Sequence, residues 1–215
     1  MSQNNNSHHL KRTNNLKRGS GRLFVISAPS GAGKSTLCKA VRQHFSDMLY
    51  SVSFTTRPPR PNEINGKDYI FIDQKEFIQG INENRWAEWA IVHDNYYGTS
   101  AKDIDRGLLA GKDILLDIDV QGANQIIQRY PNSITIFIMP PDMKELRRRL
   151  EVRGTDSAQT ISIRMQNAVK EINQRKMYKY IIINDCLSDS IAELFAIIEK
   201  AAPNMIFSAS KGDRI

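Results

Sequence analysis

The chain has 215 residues, of which 40% are hydrophobic and 25% are charged. At roughly 150 residues per domain, this length predicts one domain, or one domain that carries insertions. No apolar run reaches the roughly 18 residues that a membrane-spanning helix needs, so the sequence indicates a soluble globular protein.

The positive charge is concentrated at the amino terminus. The formal net charge is +7, but residues 1–22 hold five cations and no acid, which leaves 25 of the 30 basic residues against all 23 acidic ones in the rest of the chain. The charge therefore requires neither a nucleic-acid partner nor a membrane. We expect a disordered basic tail over 1–21, one domain over 22–202, and a C-terminal tail over 203–215.

The two cysteines, Cys38 and Cys186, lie far apart and show no metal-ligand spacing. This cysteine content fits a reduced, cytoplasmic location. The sequence leaves the oligomeric state open.

Short apolar segments alternate with helical patterns along most of the chain. The predicted strands cover 22–27, 114–118, 134–139 and 180–183, and the predicted helices cover 34–45, 121–129, 142–150 and 188–200. Such alternation predicts an α/β fold in which helices cover both faces of a central parallel sheet, giving three layers.

The pattern changes between about residues 53 and 110. A proline-rich loop is followed by strand-like pieces at 69–72 and 88–93 and by a helical pattern near 100–109. We interpret this stretch as a small mixed α+β subdomain inserted into the core.

Residues 28–35 read A-P-S-G-A-G-K-S, which is the spacing of a P-loop with alanine in place of the first glycine. In such a loop, glycines let backbone N–H groups converge on a phosphate and the following helix directs its positive end there. Lys34 would add a mobile charge, and the Ser35 hydroxyl would reach Mg²⁺. An ordinary glycine turn is the alternative, but the position between a strand and a helix favours a P-loop.

The segment from Ser53 to Pro61 reads S-F-T-T-R-P-P-R-P and is followed by Glu63 and Tyr69. Arg57 and Arg60 lie in a loop stiffened by prolines, and a rigid guanidinium suits a dianionic phosphate. A solvated turn, or a P-x-x-P ligand for an adaptor domain, is the alternative interpretation.

Further along the insertion, Glu88 and the segment N-Y-Y-G-T over 95–99 add a carboxylate, phenols and a hydroxyl. A carboxylate accepts two hydrogen bonds from the N1–H and N2–H₂ edge of guanine, a pair of donors that adenine lacks. The alternative is a surface glutamate beside a small packed sheet.

Two acidic residues and several arginines complete the candidate residues. Asp117 and Asp119 lie at the end of an apolar strand, and ligands of open parallel sheets bind beyond the carboxyl ends of the strands, with simple hydration of a strand end as the alternative interpretation. Their two-residue spacing predicts that both carboxylates point to one side of that strand. Downstream, Arg149 and Arg153 share a helical spacing and Arg164 follows, although an arginine-rich run is often only a solvated face, as we expect for Arg147.

From residue 22 to about 200 the sequence resembles the guanylate kinases, a family of P-loop nucleoside monophosphate kinases. The markers are SAPSGAGKST, SFTTRPPRPNE, EWA, NYYGTS, LDIDVQGA, RRRLEVRGTD and IIIND. The resemblance implies ATP and GMP as small-molecule substrates, Mg²⁺ as cofactor, a nucleotide-binding insertion, and a helical lid over about 146–176.

The resemblance also implies roles for individual residues. ATP would be bound by Ala28, Pro29, Ser30, Gly31, Ala32, Gly33, Lys34, Ser35, Thr36 and Asn184. GMP would be bound by Ser53, Arg57, Arg60, Glu63, Tyr69, Glu88, Tyr97, Thr99 and Asp119. Ser35 and, through water, Asp117 would support Mg²⁺, and the catalytic residues would be Lys34, Arg57, Arg149, Arg153 and Arg164.

Three alternatives differ in chemistry from this expectation. A kinase for another monophosphate would use the same P-loop with a different base pocket. A non-catalytic guanylate-kinase-like binding module would lack a working P-loop, whereas Lys34 and Ser35 are present. A P-loop GTPase is disfavoured because the sequence contains no N-K-x-D motif.

Overall fold

The computed structural model describes residues 21–92, 94–154 and 156–203. Apart from Gly21 and Pro203, the tails expected over 1–21 and 203–215 lie outside these residues. The strands are β1 (Leu23–Ser27), β2 (Leu49–Tyr50), β3 (Phe54–Thr55), β4 (Ile70–Phe71), β5 (Trp86–Val92), β6 (Asn95–Ser100), β7 (Ile114–Asp117), β8 (Ile134–Met139) and β9 (Tyr180–Ile183). The helices are α1 (Lys34–His44), α2 (Gln74–Asn82), α3 (Ala101–Leu109), α4 (Val120–Arg129), α5 (Met143–Val152), α6 (Ala158–Asn173) and α7 (Leu187–Ala201).

The core is a five-stranded parallel sheet in the order β2-β7-β1-β8-β9. Side chains of β1 alternate between two hydrophobic layers because successive residues of a strand point to opposite faces. Phe24 and Ile26 pack in the layer that contains α1 and α7, whereas Leu23 and Val25 pack in the layer that contains α3 and α4. The predicted three-layer α/β fold is confirmed.

A separate four-stranded sheet in the order β4-β3-β6-β5 occupies the inserted stretch. Its β3–β4 pair is parallel, and its β3–β6 and β5–β6 pairs are antiparallel. The helix α3, which the sequence assigned to the insertion, packs instead on the core sheet through Ala101, Ile104 and Leu108. The second sheet therefore ends near Ser100.

The helix α2 is not among the elements predicted from the sequence, and it carries two buried residues, Phe77 and Gly80. A signal for this helix was present: the Asp73 carboxylate accepts a hydrogen bond from the Glu76 N–H at 2.7 Å, the contact of a helix N-cap. Asp73 followed three residues later by glutamate is a recognisable start of a helix.

The helices α5 and α6 form a third, smaller hydrophobic cluster from Leu146, Leu150, Ile161 and Ala168. This cluster lies against the glycine loop, since a Cβ added at Gly31 would lie 2.9 Å from Leu150 Cδ2. The region expected to form a helical lid is thus helical and adjoins the loop. Among the described residues no helix is long and apolar enough to cross a bilayer.

We expect Leu150→Ala to lower the free energy of unfolding by about 2–5 kcal/mol, because it leaves a cavity where the side chain is fully buried. Urea denaturation measures the change. Val152→Ala is the matched control on the same helix, because Val152 is 73% exposed and should change stability by less than about 0.5 kcal/mol. Equal effects of the two substitutions would contradict the packing described.

Candidate active site

The P-loop connects β1 to α1 with two glycines in the left-handed region. Gly31 and Gly33 have φ angles of +92° and +97°, which residues with a Cβ atom rarely adopt. The first helical turn that follows has N–H groups without intrahelical partners, which makes this end of α1 an anion-binding position. The loop therefore has the strand–loop–helix context that its sequence predicted.

Lys34 reaches from the start of α1 to the carboxyl end of β7. Its ammonium group donates to the Ile118 carbonyl at 3.2 Å and forms an ion pair with Asp117. Burial lowers the pKa of Lys34, but the Asp117 carboxylate outweighs burial and holds the pKa above its usual value. Lys34 is therefore cationic at neutral pH.

Asp119 lies beyond the end of β7 and begins α4. Its Oδ1 accepts a hydrogen bond from the Gly122 N–H at 2.8 Å, so the side chain caps the helix. The strand β7 ends at Asp117, so the alternation of side chains along a strand does not extend to Asp119, and the prediction that both carboxylates point to one side of the strand does not apply.

Asn184 follows β9 and contacts the P-loop itself. Its buried Nδ2 donates to the Ala32 carbonyl at 2.8 Å, and a Cβ added at Gly33 would lie 2.2 Å from the same nitrogen. The Asn184 carbonyl in turn accepts from Arg149 Nη2 at 2.9 Å. Asn184 thus supports the loop backbone and links it to α5.

The three arginines assigned to the lid occupy different positions. Arg149 also pairs with Glu145 at 2.8 Å, and Arg164 donates to the Ser30 hydroxyl at 2.8 Å and pairs with Asp156 at 3.2 Å. Arg153 is the C-cap of α5 and is exposed. The structure therefore brings Arg149 and Arg164 to the P-loop region and leaves the side chain of Arg153 exposed to solvent.

On the insertion, Arg57 is buried and its guanidinium forms a bidentate pair with Glu63, at 2.7 and 2.6 Å. Its Nε donates to Tyr97 Oη at 3.1 Å, and its Cζ lies 4.9 Å from the centre of the Tyr69 ring. The hydrogen bonds from Arg57, together with that from the Arg60 N–H, lower the pKa of Glu63 to about 2. Burial and these bonds show that Arg57 is part of a built cluster and not of a solvated turn.

Ser53 and Arg60 are placed at the edge of this cluster. The Arg60 backbone N–H donates to Glu63 Oε2 at 2.8 Å, while its side chain is exposed. Ser53 is half-buried, and its carbonyl accepts from the Ile70 N–H at 2.9 Å. Their side chains are thus near Arg57 along the chain without sharing its contacts.

A cleft of about 230 Å³ separates the core from the insertion. Ser35 and Asp117 line it from the core, and Glu63, Asp68 and Tyr69 line it from the insertion. Hydroxyl and carboxylate oxygens are suitable ligands for Mg²⁺, which keeps several waters and takes only one or two protein carboxylates beside substrate phosphates. The donor set of Ser35 and Asp117 fits this coordination.

Glu88 lies in β5 and is almost fully buried, with 4% of its surface exposed. Its Oε1 accepts a hydrogen bond from the Thr99 hydroxyl of the neighbouring strand β6. Burial raises the pKa of Glu88 to about 7, against the bond from Thr99, which lowers it. The structure therefore joins Glu88 and Thr99 in one buried polar site.

Glu171 of α6 is a half-buried acidic residue that no sequence motif singled out. Burial, and secondarily the charge of Asp119, raise the pKa of Glu171 to about 7. Its spacing of three residues from the buried Ala168 could have indicated that it faces inward.

The raised pKa of Glu88 predicts a pH-dependent stability. Because the native state keeps the proton between the ordinary value of 4.5 and about 7, the free energy of unfolding should fall as pH rises through this range. The full difference corresponds to about 3 kcal/mol. Urea denaturation from pH 4 to 8 should show a shallower decline for Glu88→Gln, whereas equal slopes in both proteins would refute the assignment.

Comparisons with known proteins agree with the geometry. The family model for guanylate kinase matches residues 20–201. The chain is 48% identical over 178 residues to the guanylate kinase of Geobacter sulfurreducens, an alignment that covers 83% of this chain and 88% of the relative. It is 50% identical over 179 residues to the guanylate kinase of Shewanella violacea, with 83% of this chain and 86% of the relative covered.

A solved structure gives the same result. The crystal structure of guanylate kinase from Anaplasma phagocytophilum matches with a TM-score of 0.68 and 31% identity, covering 86% of this chain and 88% of that one. With the P-loop, the second sheet and the two helices beside the loop all present, the chain belongs to the guanylate kinase family.

Proposed function

We propose that the protein transfers the γ-phosphoryl group of ATP to GMP, giving ADP and GDP. The observation that carries this proposal is a cleft between two cationic sites. Asp117, which pairs with Lys34, lines it from the core, and Tyr69 and Glu63, which pairs with Arg57, line it from the insertion. Two phosphate-binding sites that face one cleft are the arrangement that direct transfer between two nucleotides requires. Membership of the guanylate kinase family supports the same assignment.

On the donor side, residues 28–36 would bind the ATP phosphates through backbone N–H groups and Lys34. Ser35 and, through water, Asp117 would hold Mg²⁺, which when bound neutralises charge on the phosphates. Asn184 would maintain the loop, since its amide is bonded to the Ala32 carbonyl.

On the acceptor side, Arg57 would bind the GMP phosphate with Tyr69, Tyr97, Ser53 and Arg60. Glu63 would act through Arg57, because its carboxylate already fills the guanidinium fork. Glu88 and Thr99 would bind the guanine edge, and the capping carboxylate of Asp119 lies on the neighbouring helix.

The reaction needs alignment and charge neutralisation more than a general base. The attacking group is a phosphate oxygen whose second pKa is about 6, so it is mostly ionised at neutral pH. We propose that the segment of the insertion that carries Arg57 closes on the acceptor while β5 stays against α4, and that the lid, about 146–176, brings Arg149, Arg153 and Arg164 over the ATP phosphates. Closure would also keep water from the transferred group.

The acceptor is tested with GMP, AMP, UMP and CMP in a coupled assay of ADP release. We expect GMP to be the preferred acceptor, Lys34→Ala to abolish turnover with all four, and Glu88→Ala to lose chiefly the preference for GMP over AMP. Turnover of AMP equal to that of GMP by the wild-type protein would overturn the assignment of GMP.

The lid is tested by comparing two exposed arginines of α5 and its C-cap. Arg153→Ala should lower kcat by about tenfold or more, because the guanidinium would stabilise charge only on the transferring phosphoryl group. Arg147→Ala is the matched control and should leave kcat unchanged, since Arg147 is exposed and pairs with Glu151 at 3.9 Å on the solvated face of α5. An equal kcat for both variants would exclude Arg153 from the reaction.

A further inference from the structure

The core helix α4 contacts the insertion directly beside Glu88. β5 is an edge strand of the second sheet, and it lies along α4, which follows β7 of the core sheet. The base-recognition site on the insertion is thus in contact with an element that belongs to the core.

The first contact, between α4 and the Glu88 carboxylate, is possible because residue 122 is a glycine and has no Cβ atom. A Cβ at this position would lie 2.4 Å from Glu88 Oε2 and 3.0 Å from its Cδ, distances that require the carboxylate to move. Glycine weakens a helix relative to alanine, so its presence one turn into α4 needs a local reason. The close approach of the Glu88 carboxylate supplies that reason.

The second contact is a pair of hydrogen bonds from Gln125, also on α4. Its side-chain amide accepts from the Trp89 N–H at 3.1 Å and donates to the Trp89 carbonyl at 2.7 Å. An edge strand presents N–H and C=O groups on its outer side, and the Gln125 amide pairs with them as a neighbouring strand would. Because Trp89 directly follows Glu88, this pair fixes the strand at the position of the carboxylate.

We propose that Gly122 and Gln125 are positioning residues for Glu88, which hold its carboxylate at the place where it meets the guanine edge. This inference rests on the proposed recognition of GMP by Glu88. Neither residue needs to contact the nucleotide: Gly122 leaves the space into which the carboxylate fits, and Gln125 anchors the strand that carries it. Both lie on a core helix, so they set the position of the base relative to the P-loop.

The first test is Gly122→Ala. The added methyl group should displace Glu88 and raise the KM for GMP by about tenfold while kcat and the KM for ATP stay within about twofold, as expected for a lost binding contact. The preference for GMP over AMP should fall in parallel. Gly107→Ala is the matched control: it is also a buried helical glycine, whose added Cβ would lie 2.8 Å from Ile114 Cδ1, away from Glu88. It should leave the KM for GMP unchanged.

A double-mutant cycle with Glu88→Ala separates the inference from the proposed function. If Gly122 acts through Glu88, then Gly122→Ala should not raise the KM for GMP further in the Glu88→Ala background. If Glu88→Ala itself leaves the KM for GMP unchanged, the proposed role of Glu88 is wrong and the inference fails with it. If Glu88→Ala raises this KM but Gly122→Ala does not, or the two effects multiply, only the inference is overturned.

Substitution of Gln125 tests the inference independently, including the case in which Gly122→Ala does not fold. Gln125→Ala, and Gln125→Glu, which can accept from the Trp89 N–H but as a carboxylate cannot donate to its carbonyl, should both raise the KM for GMP. Neither effect should persist in the Glu88→Ala background. Gln121→Ala is the control, because Gln121 is exposed on the same helix. A KM for GMP that is unchanged in Gln125→Ala would overturn the inference.

Discussion

The ion pair between Lys34 and Asp117 joins the start of α1 to the carboxyl end of β7, which lies next to β1 in the core sheet. Parallel strands deliver their carboxyl ends to one edge, and the loops that follow them meet there. The P-loop after β1, the acidic segment after β7 and Asn184 after β9 converge on this edge. The donor site therefore depends on the parallel arrangement of the sheet, which buried apolar strands enforce from both faces.

On each side of the cleft, a cation forms an ion pair with a carboxylate of the protein. Asp117 pairs with Lys34 on the core, and Glu63 pairs with Arg57 on the insertion. Both cations are partly or fully buried, so an unpaired charge would be costly there. Both carboxylates line the cleft, so each cation lies next to a residue of the cleft wall.

The sequence predicts the core more completely than the insertion, for physical reasons. The strands at 134–139 and 180–183 match β8 and β9 residue for residue, because both are continuous apolar runs, although Ile181 and Ile183 of the edge strand β9 are exposed. In the insertion, β3 and β4 are only two residues long and α2 buries two residues. Their hydrophobic patterns are therefore too short to identify these elements from the sequence. Arg57 and Glu88 were identified from residue chemistry, but their partners Glu63 and Thr99 are fixed by pairings that only the folded chain creates.

The buried carboxyl group of Glu88 explains why the insertion must be held against the core. Burial raises its pKa to about 7, so the carboxyl group is only partly ionised at neutral pH, whereas the proposed recognition of guanine would need the ionised form. Two N–H donors from the base would stabilise the carboxylate, whereas adenine would offer no such pair. In the proposed function, such a carboxylate discriminates between bases only where its position is fixed, and the contacts of Gly122 and Gln125 with β5 would provide that constraint from the core.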